Sequence, residues 1–357
     1  MGLSDDIRRR LEQIPFPGFP HSVWRYGLVD EIREDDGAVE IALLPASRRR
    51  DVAQTIARTI EESIARIPGV RSVRIVTAGV SAHTANAHSH TQAESHIGIP
   101  GVRTIVAVSS AKGGVGKSTV AVNLALSLAR TGAKVALMDA DVYGPSAPHM
   151  LGIDERAHTH GQRIAPIERY GIDVMSMGFF LDDSSPVIWR GPMVMGLIRQ
   201  FLRDVDWGPQ DYLVVDMPPG TGDAALTLAQ QVPLSGAVIV TTPQDVALAD
   251  VERGIAMFGQ LHVPVLGIVE NMSIYSCPDC GEAEEIFGAG GGDELAERFH
   301  VPVLARLPLV SEVREGGDAG RPISVAAPEH PVSKLFAELA RSVDQEIVRA
   351  EKWRIHS

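Results

Sequence analysis

The sequence predicts an α/β protein: a doubly wound, mostly parallel sheet preceded by a small α+β domain. From residue 102 onward, helical stretches separate five short runs rich in Val and Ile, which are TIVAVS, KVALMD, YLVVDM, GAVIVT and VPVLGIV. These runs are apolar throughout, which is typical of parallel strands buried on both faces of a sheet. Because such a sheet binds ligands beyond the carboxyl ends of its strands, we expect the chemistry in the loops after these runs.

The small domain is predicted over residues 1–77. The segments LVDEIRE and AVEIALL flank the turn residues Asp35, Asp36 and Gly37, a pattern typical of a β-hairpin. A helix is expected next because apolar residues follow at spacings of three and four, and RSVRIVT then alternates as a strand. The apolar helix positions are Val52, Ile56, Ile60, Ile64 and Ile67. The predicted order is therefore β-β-α-β.

Residues 78–101 are interpreted as a flexible linker. The stretch is rich in Ala, Ser, Thr and His and has no apolar period. Its four histidines raise the alternative of a metal site, but no spacing among them defines a coordination geometry. These histidines are His83, His88, His90 and His96. Residues 102–357 are predicted to form the second domain.

Composition and charge favour a cytoplasmic protein. The formal net charge of −12 over 357 residues argues against a nucleic-acid or anionic-membrane surface, which needs clustered Lys and Arg. No apolar run approaches the length of a membrane span, and the charged N-terminus is unlike a secretory signal. The apolar positions of the last helix are interpreted as core packing because its polar face is mixed in charge. These positions are Leu335, Leu339, Val343 and Ile347.

A phosphate-binding loop is the most specific motif in the chain. The segment KGGVGKST, residues 112–119, follows an apolar strand and opens a helix, as a P-loop requires. Its glycines let backbone N–H groups surround phosphate oxygens, while Lys117 would reach the β- and γ-phosphates and Ser118 would bind Mg²⁺. The full set of expected nucleotide ligands in the loop is Gly113, Gly114, Val115, Gly116, Lys117, Ser118 and Thr119.

The loop departs from the standard P-loop pattern, because Ala111 stands at the first glycine position and Lys112 precedes the glycines. This form resembles the deviant Walker A motif of the MinD/ParA-like ATPases. The resemblance implies that Lys112 reaches across a dimer interface to the partner's nucleotide. It also implies that the active form is an ATP-sandwich homodimer.

Polar residues at three further strand ends would complete the ATP site. Asp139 and Asp141 lie in DADVYGPS, where Asp139 is expected to support the Mg²⁺ shell and Asp141 to position the attacking water. Asp216 in VVDMPPGTGD is the expected Walker B carboxylate. Strand-end carboxylates also serve as helix caps, an alternative that stays open for Asp139 and Asp141. By resemblance, Asn271 in VENMS, expected after its strand, would read the adenine edge.

Cys277 and Cys280, the only cysteines, form a C-x-x-C pair expected four residues beyond the same strand. Four interpretations remain: a redox pair at a helix N-terminus, a zinc site completed by His88 and His90, two unrelated buried cysteines, or half of a shared site. In a homodimer, two copies of the pair would make four thiolates near the two-fold axis. Four thiolates suit either one [4Fe–4S] cluster or one zinc ion.

Six motifs follow one another along the chain: KGGVGKST, DADVYGPS, VVDMPPGTGD, VENMS, CPDCG and IFGAGGG. In their residues and their order they resemble the Mrp/ApbC-type iron–sulfur carrier ATPases. The β-β-α-β segment resembles the MIP18 (DUF59) domain that often precedes the ATPase, although the cysteine that many such domains carry is absent from LLPASRRR. The resemblance implies that Cys277 and Cys280 hold the cluster.

The expected function is a slow ATPase and cluster carrier. By resemblance, Lys112, Lys117, Asp141 and Asp216 would serve catalysis, and a homodimer would bind ATP, Mg²⁺ and a bridging [4Fe–4S] cluster. Its partners would be a cluster donor and client apo-proteins, with no nucleic acid and no membrane. The alternatives are a MinD/ParA-like spatial regulator, or an ATPase in which the cysteines bind a structural zinc.

Overall fold

The computed structural model of the chain describes residues 3–14, 22–24, 29–35, 37–43, 50–77, 99–142, 144–160, 163–180, 191–277, 280 and 282–356. The chain divides into two compact units. The first contains residues 1–95 and 180–200, and the second contains residues 96–179 and 201–357. Most of the predicted linker, including its four histidines, lies outside the described residues. The domain boundaries at residues 77 and 101 stay a prediction.

The first unit contains a three-stranded sheet and two helices. Its elements are α1 (Leu3–Leu11), β1 (Val29–Asp35), β2 (Ala38–Leu43), α2 (Arg50–Ile64) and β3 (Ser72–Thr77). The strand order is β1-β2-β3, with β1 antiparallel and β3 parallel to β2. This arrangement confirms the separate small sheet. The sequence interpretation missed α1, whose apolar residues Ile7 and Leu11 are fully buried in an otherwise charged segment.

The second unit is built on a nine-stranded sheet. Its strands are β4 (Val102–Ser110), β5 (Val135–Asp139), β8 (Ile167–Arg169), β9 (Ile172–Ser176), β10 (Gln210–Asp216), β11 (Gly236–Thr241), β12 (Val265–Ser276), β13 (Ala283–Glu284) and β14 (Val303–Leu309). A separate hairpin comprises β6 (His158–His160) and β7 (Arg163–Ala165). The sheet order is β13-β12-β11-β4-β10-β5-β9-β8, and β14 also pairs with β12. All pairings are parallel except those of β8 and β13.

Helices follow most of these strands, as the doubly wound pattern predicts. They are α3 (Lys117–Ala129), α4 (Ala147–Leu151), α5 (Gly191–Asp204), α6 (Asp223–Gln231), α7 (Asp245–Gln260), α8 (Gly291–Phe299), α9 (Ser311–Asp318), α10 (Ile323–Ala326) and α11 (Pro331–His356), with a 3₁₀ turn at Met177–Phe180. Of α5, residues 191–200 belong to the first unit and residues 201–204 to the second. Leu339, Val343 and Ile347 of α11 are buried, which confirms core packing at these positions, whereas Leu335 is only half-buried. Within the described part of the chain, no helix has the length and apolar content needed to cross a membrane.

One strand differs from the sequence expectation in a way that affects the site. The run VPVLGIV was expected to end before Asn271, but β12 continues to Ser276. Its last residues remain in the sheet because Tyr275 and Ser276 pair with β13, and Tyr275 also pairs with Leu309 of β14. Asn271 therefore lies within a strand rather than after one. Cys277 follows that strand directly, without the four-residue gap that was expected.

Candidate functional site

The P-loop connects β4 to α3 at the carboxyl edge of the sheet. Gly114 and Gly116 have φ values of 81° and 84°, in the left-handed region that glycine adopts without strain. A Cβ placed at Gly113 or Gly114 would meet no atom within 4 Å, so the space beside these glycines is open. At Gly116 a Cβ would lie 2.2 Å from Asn271 Nδ2. The loop therefore requires glycine at residue 116 and leaves room for a ligand at residues 113 and 114.

Lys117 and Asp216 form a buried ion pair at the base of this loop. Their side chains are 6% and 1% exposed, and Lys117 Nζ donates to Asp216 Oδ1. Lys117 Nζ also lies 3.2 Å from Ser118 Oγ. Burial raises the pKa of the Asp216 carboxyl, and the Lys117 ammonium opposes that rise. Among the described residues, none donates a hydrogen bond to the buried Asp216 Oδ2.

Asp139 lies beside Asp216, since the two residues are register partners on β5 and β10. Asp139 Oδ1 accepts a hydrogen bond from the Asp141 backbone N–H at 3.1 Å. Its Oδ2 accepts from Ala147 N–H at 3.1 Å and from the Ser176 hydroxyl at 2.9 Å. Burial raises the pKa of Asp139 to about 7, and the Asp216 charge adds to the rise. Through these hydrogen bonds Asp139 stabilises the loop after β5 and the start of α4.

Asp141 has a similar local contact, because its Oδ1 accepts a hydrogen bond from Gly144 N–H at 3.2 Å. Both carboxylates therefore stabilise the loop in which they lie, as the helix-cap alternative anticipates. Their expected roles toward Mg²⁺ and the attacking water stay predictions.

The additional lysine of the loop has a partner that the sequence did not indicate. Lys112 is half-buried, and its Nζ donates to Gln244 Oε1 at 3.2 Å. Gln244 follows β11, the strand next to β4, and lies 132 residues along the chain from Lys112. Only the sheet order brings the two side chains together.

Asn271 contacts the P-loop directly. Its Nδ2 donates to the Val115 carbonyl at 2.8 Å. Among the described residues, its Oδ1 and its second N–H have no further hydrogen-bond partner. Asn271 also lines a cavity of about 260 Å³ between the P-loop and the segment that links β14 to α9. The cavity walls include Gly116, Thr119, Met272, Leu309, Val310 and Phe336. This largely apolar space beside the phosphate loop could receive a flat ring such as a nucleotide base.

The cysteines lie in the connection between β12 and β13. Cys277 is half-buried and Cys280 is exposed, which excludes the interpretation of two buried, unrelated thiols. Cys277 follows a strand, whereas a reactive redox cysteine typically begins a helix. The Cys277 N–H donates to the Glu282 carbonyl at 2.9 Å. Across the described residues, no group of three His, Cys, Asp or Glu side chains could hold a metal ion. His88 and His90 lie outside them.

Two family models cover most of the chain. Residues 101–344 match the model described as NUBPL iron-transfer P-loop NTPase, and residues 4–75 match that of an iron-sulfur cluster assembly protein. An iron-sulfur cluster carrier protein of Synechocystis sp. is 44% identical over 346 residues, which cover 95% of this chain and 96% of that protein. A protein with the same name from Helicobacter pylori is 39% identical, covering 98% of this chain and 95% of its own length.

Solved structures agree with the fold. A nucleotide-binding protein of Archaeoglobus fulgidus, solved in complex with ADP, has 42% identity and a TM-score of 0.58, covering 66% of this chain and 92% of that one. The cell division ATPase MinD of Pyrococcus furiosus, at 21% identity and a TM-score of 0.52, shares the fold and covers 68% and 98%. The two family models and the two iron-sulfur cluster carrier proteins confirm the resemblance to the Mrp/ApbC-type proteins. The chain thus belongs to the family of NUBPL-type iron-transfer P-loop NTPases.

Proposed function

We propose that this protein is an ATP-binding, slowly ATP-hydrolysing carrier of iron–sulfur clusters. A single observation carries the proposal: strand β12 brings a P-loop contact, Asn271, and a C-x-x-C pair, Cys277 and Cys280, into one continuous segment. Family membership and the names of the relatives support the same function. The cluster would be the cargo, received from a donor and delivered to client apo-proteins.

The P-loop would bind the phosphates of ATP, and the cavity beside Asn271 and Thr119 would receive the adenine. Lys117 would exchange Asp216 for the β- and γ-phosphates, where its ammonium offsets their charge. The A. fulgidus protein, which was solved with ADP, supports nucleotide binding by this chain.

The residues at the base of the loop fit a magnesium ion. Asp216 Oδ2 is buried and accepts no hydrogen bond from the described residues, and it lies on a side chain already contacted by Lys117. Ser118 and Asp216 would hold the ion, with Asp139 supporting the loop beside them. Bound Mg²⁺ would neutralise charge on the β- and γ-phosphates. Asp141 would orient the water that attacks the γ-phosphorus while the bond to the β–γ bridging oxygen breaks.

The active form would be a homodimer with one cluster between its subunits. Lys112 would leave Gln244 and contact the nucleotide of the other subunit, as the deviant Walker A motif implies. Cys277 and Cys280 of both copies would supply four thiolates to one [4Fe–4S] cluster. The exposure of Cys280 supports this role, because a thiol at the surface can meet a second copy or a client protein.

Anaerobic reconstitution with iron and sulfide tests the cargo. The expected result is a broad visible absorption with about four irons per dimer, and its loss in C277S and in C280S. ATP binding by both variants, measured by titration, is the matched control for folding, because both cysteines lie beyond the end of β12 rather than in the P-loop. A colourless protein that holds one zinc per dimer would overturn the cluster and favour the structural-zinc ATPase. A colourless, metal-free protein that dimerises only with ATP would favour a spatial regulator.

A further inference from the structure

Strand β12 joins the P-loop to the cysteines within one subunit. At one point the Asn271 side chain donates to the Val115 carbonyl of the loop at 2.8 Å. Five residues later the strand ends at Ser276, and Cys277 follows. No other described hydrogen bond from the side chains of β12 reaches the P-loop. Asn271 is therefore the polar link between the loop and this strand.

The contact between Asn271 and the loop is closely fitted. Val115 is 2% exposed, so its carbonyl lies in a packed setting. Gly116 approaches so closely that even a methyl group there would overlap Asn271 Nδ2, at 2.2 Å. If phosphate binding displaced the Val115–Gly116 peptide, the Asn271 side chain would therefore move as well, because close-packed groups transmit displacement.

The strand is interrupted directly after Asn271. Met272 has a φ of 57°, a left-handed conformation that is uncommon for a residue with a Cβ. The register with β14 shifts between Asn271 and Tyr275, and Ser273 Oγ donates to the Leu307 carbonyl at 3.2 Å. This bulge separates the half of β12 that contacts the P-loop from the half that ends at the cysteines. A strained bulge of this kind is a suitable place for a strand to pivot.

The end of β12 and the adjoining Cys277 are hydrogen-bonded to residues 282–284. Tyr275 and Ser276 pair with Glu284 and Ala283 of β13, and the Cys277 N–H donates to the Glu282 carbonyl. Because of these bonds, the end of β12 would move together with Cys277, Glu282 and β13, which lie on either side of Cys280 in the chain.

We infer that Asn271 is a positioning residue that couples occupancy of the P-loop to the placement of the cysteine pair. Through its bond to Val115, a nucleotide in the loop shifts the bulge at Met272 and changes the accessibility of Cys280. This inference rests on the proposed function, since it takes the P-loop as the nucleotide site and the cysteines as cluster ligands. It adds a route inside one subunit, independent of any movement between subunits.

The test measures the alkylation rate of Cys280 by iodoacetamide in the metal-free, full-length protein, with and without saturating Mg·ADP. ADP lacks the γ-phosphate that a partner's Lys112 would contact, and the mass of the protein in solution is checked to keep dimer closure out of the comparison. We expect the rate in the unsubstituted protein to change by about fivefold or more on ADP binding, in the range of ordinary allosteric coupling. In N271A, saturated according to its own ADP titration, the rate should not change.

The matched control is S273A, which removes a side-chain bond of the same bulge that does not reach the P-loop, and it should keep the ADP response. If N271A does not fold, N271D takes its place, because it keeps the shape of the side chain but removes the donor. A full ADP response in the Asn271 variant would overturn the inference, as would complete loss of ADP binding, which would make Asn271 a nucleotide ligand only. If ADP does not change the alkylation rate of Cys280 in the unsubstituted protein, and this protein still reconstitutes a cluster, the coupling is refuted while the proposed function stands.

Discussion

Lys117 and Asp216 form a buried ion pair, and bound Mg·ATP would give each of these side chains a new partner. The pair is almost fully buried, so either charge would be costly to leave alone. If the P-loop binds Mg·ATP as proposed, the phosphates would attract the lysine, and the freed carboxylate would become available to the metal.

The substitution K117A tests this arrangement. Loss of contacts to two phosphates removes roughly 3 kcal/mol of binding, so the affinity for ATP should fall by about 100-fold. The matched control is K134A, which removes an exposed lysine in the loop before β5 and should bind ATP normally. Isothermal titration calorimetry with Mg·ATP measures both. Equal affinities in the two variants would show that Lys117 does not contact the phosphates.

Because of the Asp139 carboxyl, we expect the free energy of unfolding, measured without nucleotide and magnesium, to depend on pH. Its folded-state pKa is raised to about 7 from an ordinary value of 3.8, so the folded state binds this proton more tightly than the unfolded state. Its contribution to stability is full below pH 4 and is lost as the pH rises toward 7, by up to about 1.4 kcal/mol per pH unit. D139N lacks this contribution. Urea unfolding of both proteins between about pH 5 and 8 should therefore show the steeper decline in the unsubstituted chain; parallel curves would contradict the assignment.

Individual site residues differ in how far the sequence could predict them. The P-loop was recognisable because its ligands are contiguous and lie between a strand and a helix. The partners Gln244 for Lys112 and Ser176 for Asp139 were not, because 132 and 37 residues separate the members of each pair. Such contacts depend on which strands become neighbours, and no local pattern records that.

At the scale of elements, the junction between the P-loop and α3 depends on Gly116. The residue combines a φ of 84° with a close approach to Asn271, so a side chain there would be strained and would also clash. Gly132 has a φ of 93°, and a methyl group added there would meet no atom within 4 Å. Gly132 therefore shares the left-handed backbone conformation of Gly116, but a side chain there would not clash with a neighbour.

The pair G116A and G132A separates these two effects. G132A should lose only about 1–2 kcal/mol of unfolding free energy, the cost of a left-handed alanine. G116A should lose more and should also bind ATP poorly, because the displaced Asn271 amide disturbs the loop. Chemical unfolding and ATP titration of each variant measure both quantities. If G116A matched G132A in both unfolding free energy and ATP affinity, the close approach of Gly116 to Asn271 would contribute to neither quantity.

The strands themselves were largely predictable, and their ends were not. Continuous apolar runs identified five parallel strands of the second unit. The extension of β12 to Ser276 was missed because Ser273, Tyr275 and Ser276 are polar or mixed, and their strand conformation comes from pairing with β13 and β14. Helix α1 was missed because only Ile7 and Leu11 mark its buried face among charged neighbours.

At the scale of the whole molecule, the sheet places the P-loop and Cys277 after the ends of two different strands, β4 and β12. The fold class followed from the alternation of apolar runs and helices, and the family model covering residues 101–344 agrees with it. The dimer and the shared cluster do not follow from one chain, since each subunit offers only Cys277 and Cys280. For this reason the stoichiometry of the assembly, rather than the geometry of one chain, distinguishes a shared cluster from a cluster on a single chain.

Native mass spectrometry of the anaerobically reconstituted protein measures this stoichiometry. The shared-cluster proposal predicts a dimer whose mass exceeds two chains by one four-iron, four-sulfide unit. It also predicts that C280S yields no such species. A cluster found on single chains, or a dimer carrying one zinc and no sulfide, would contradict it.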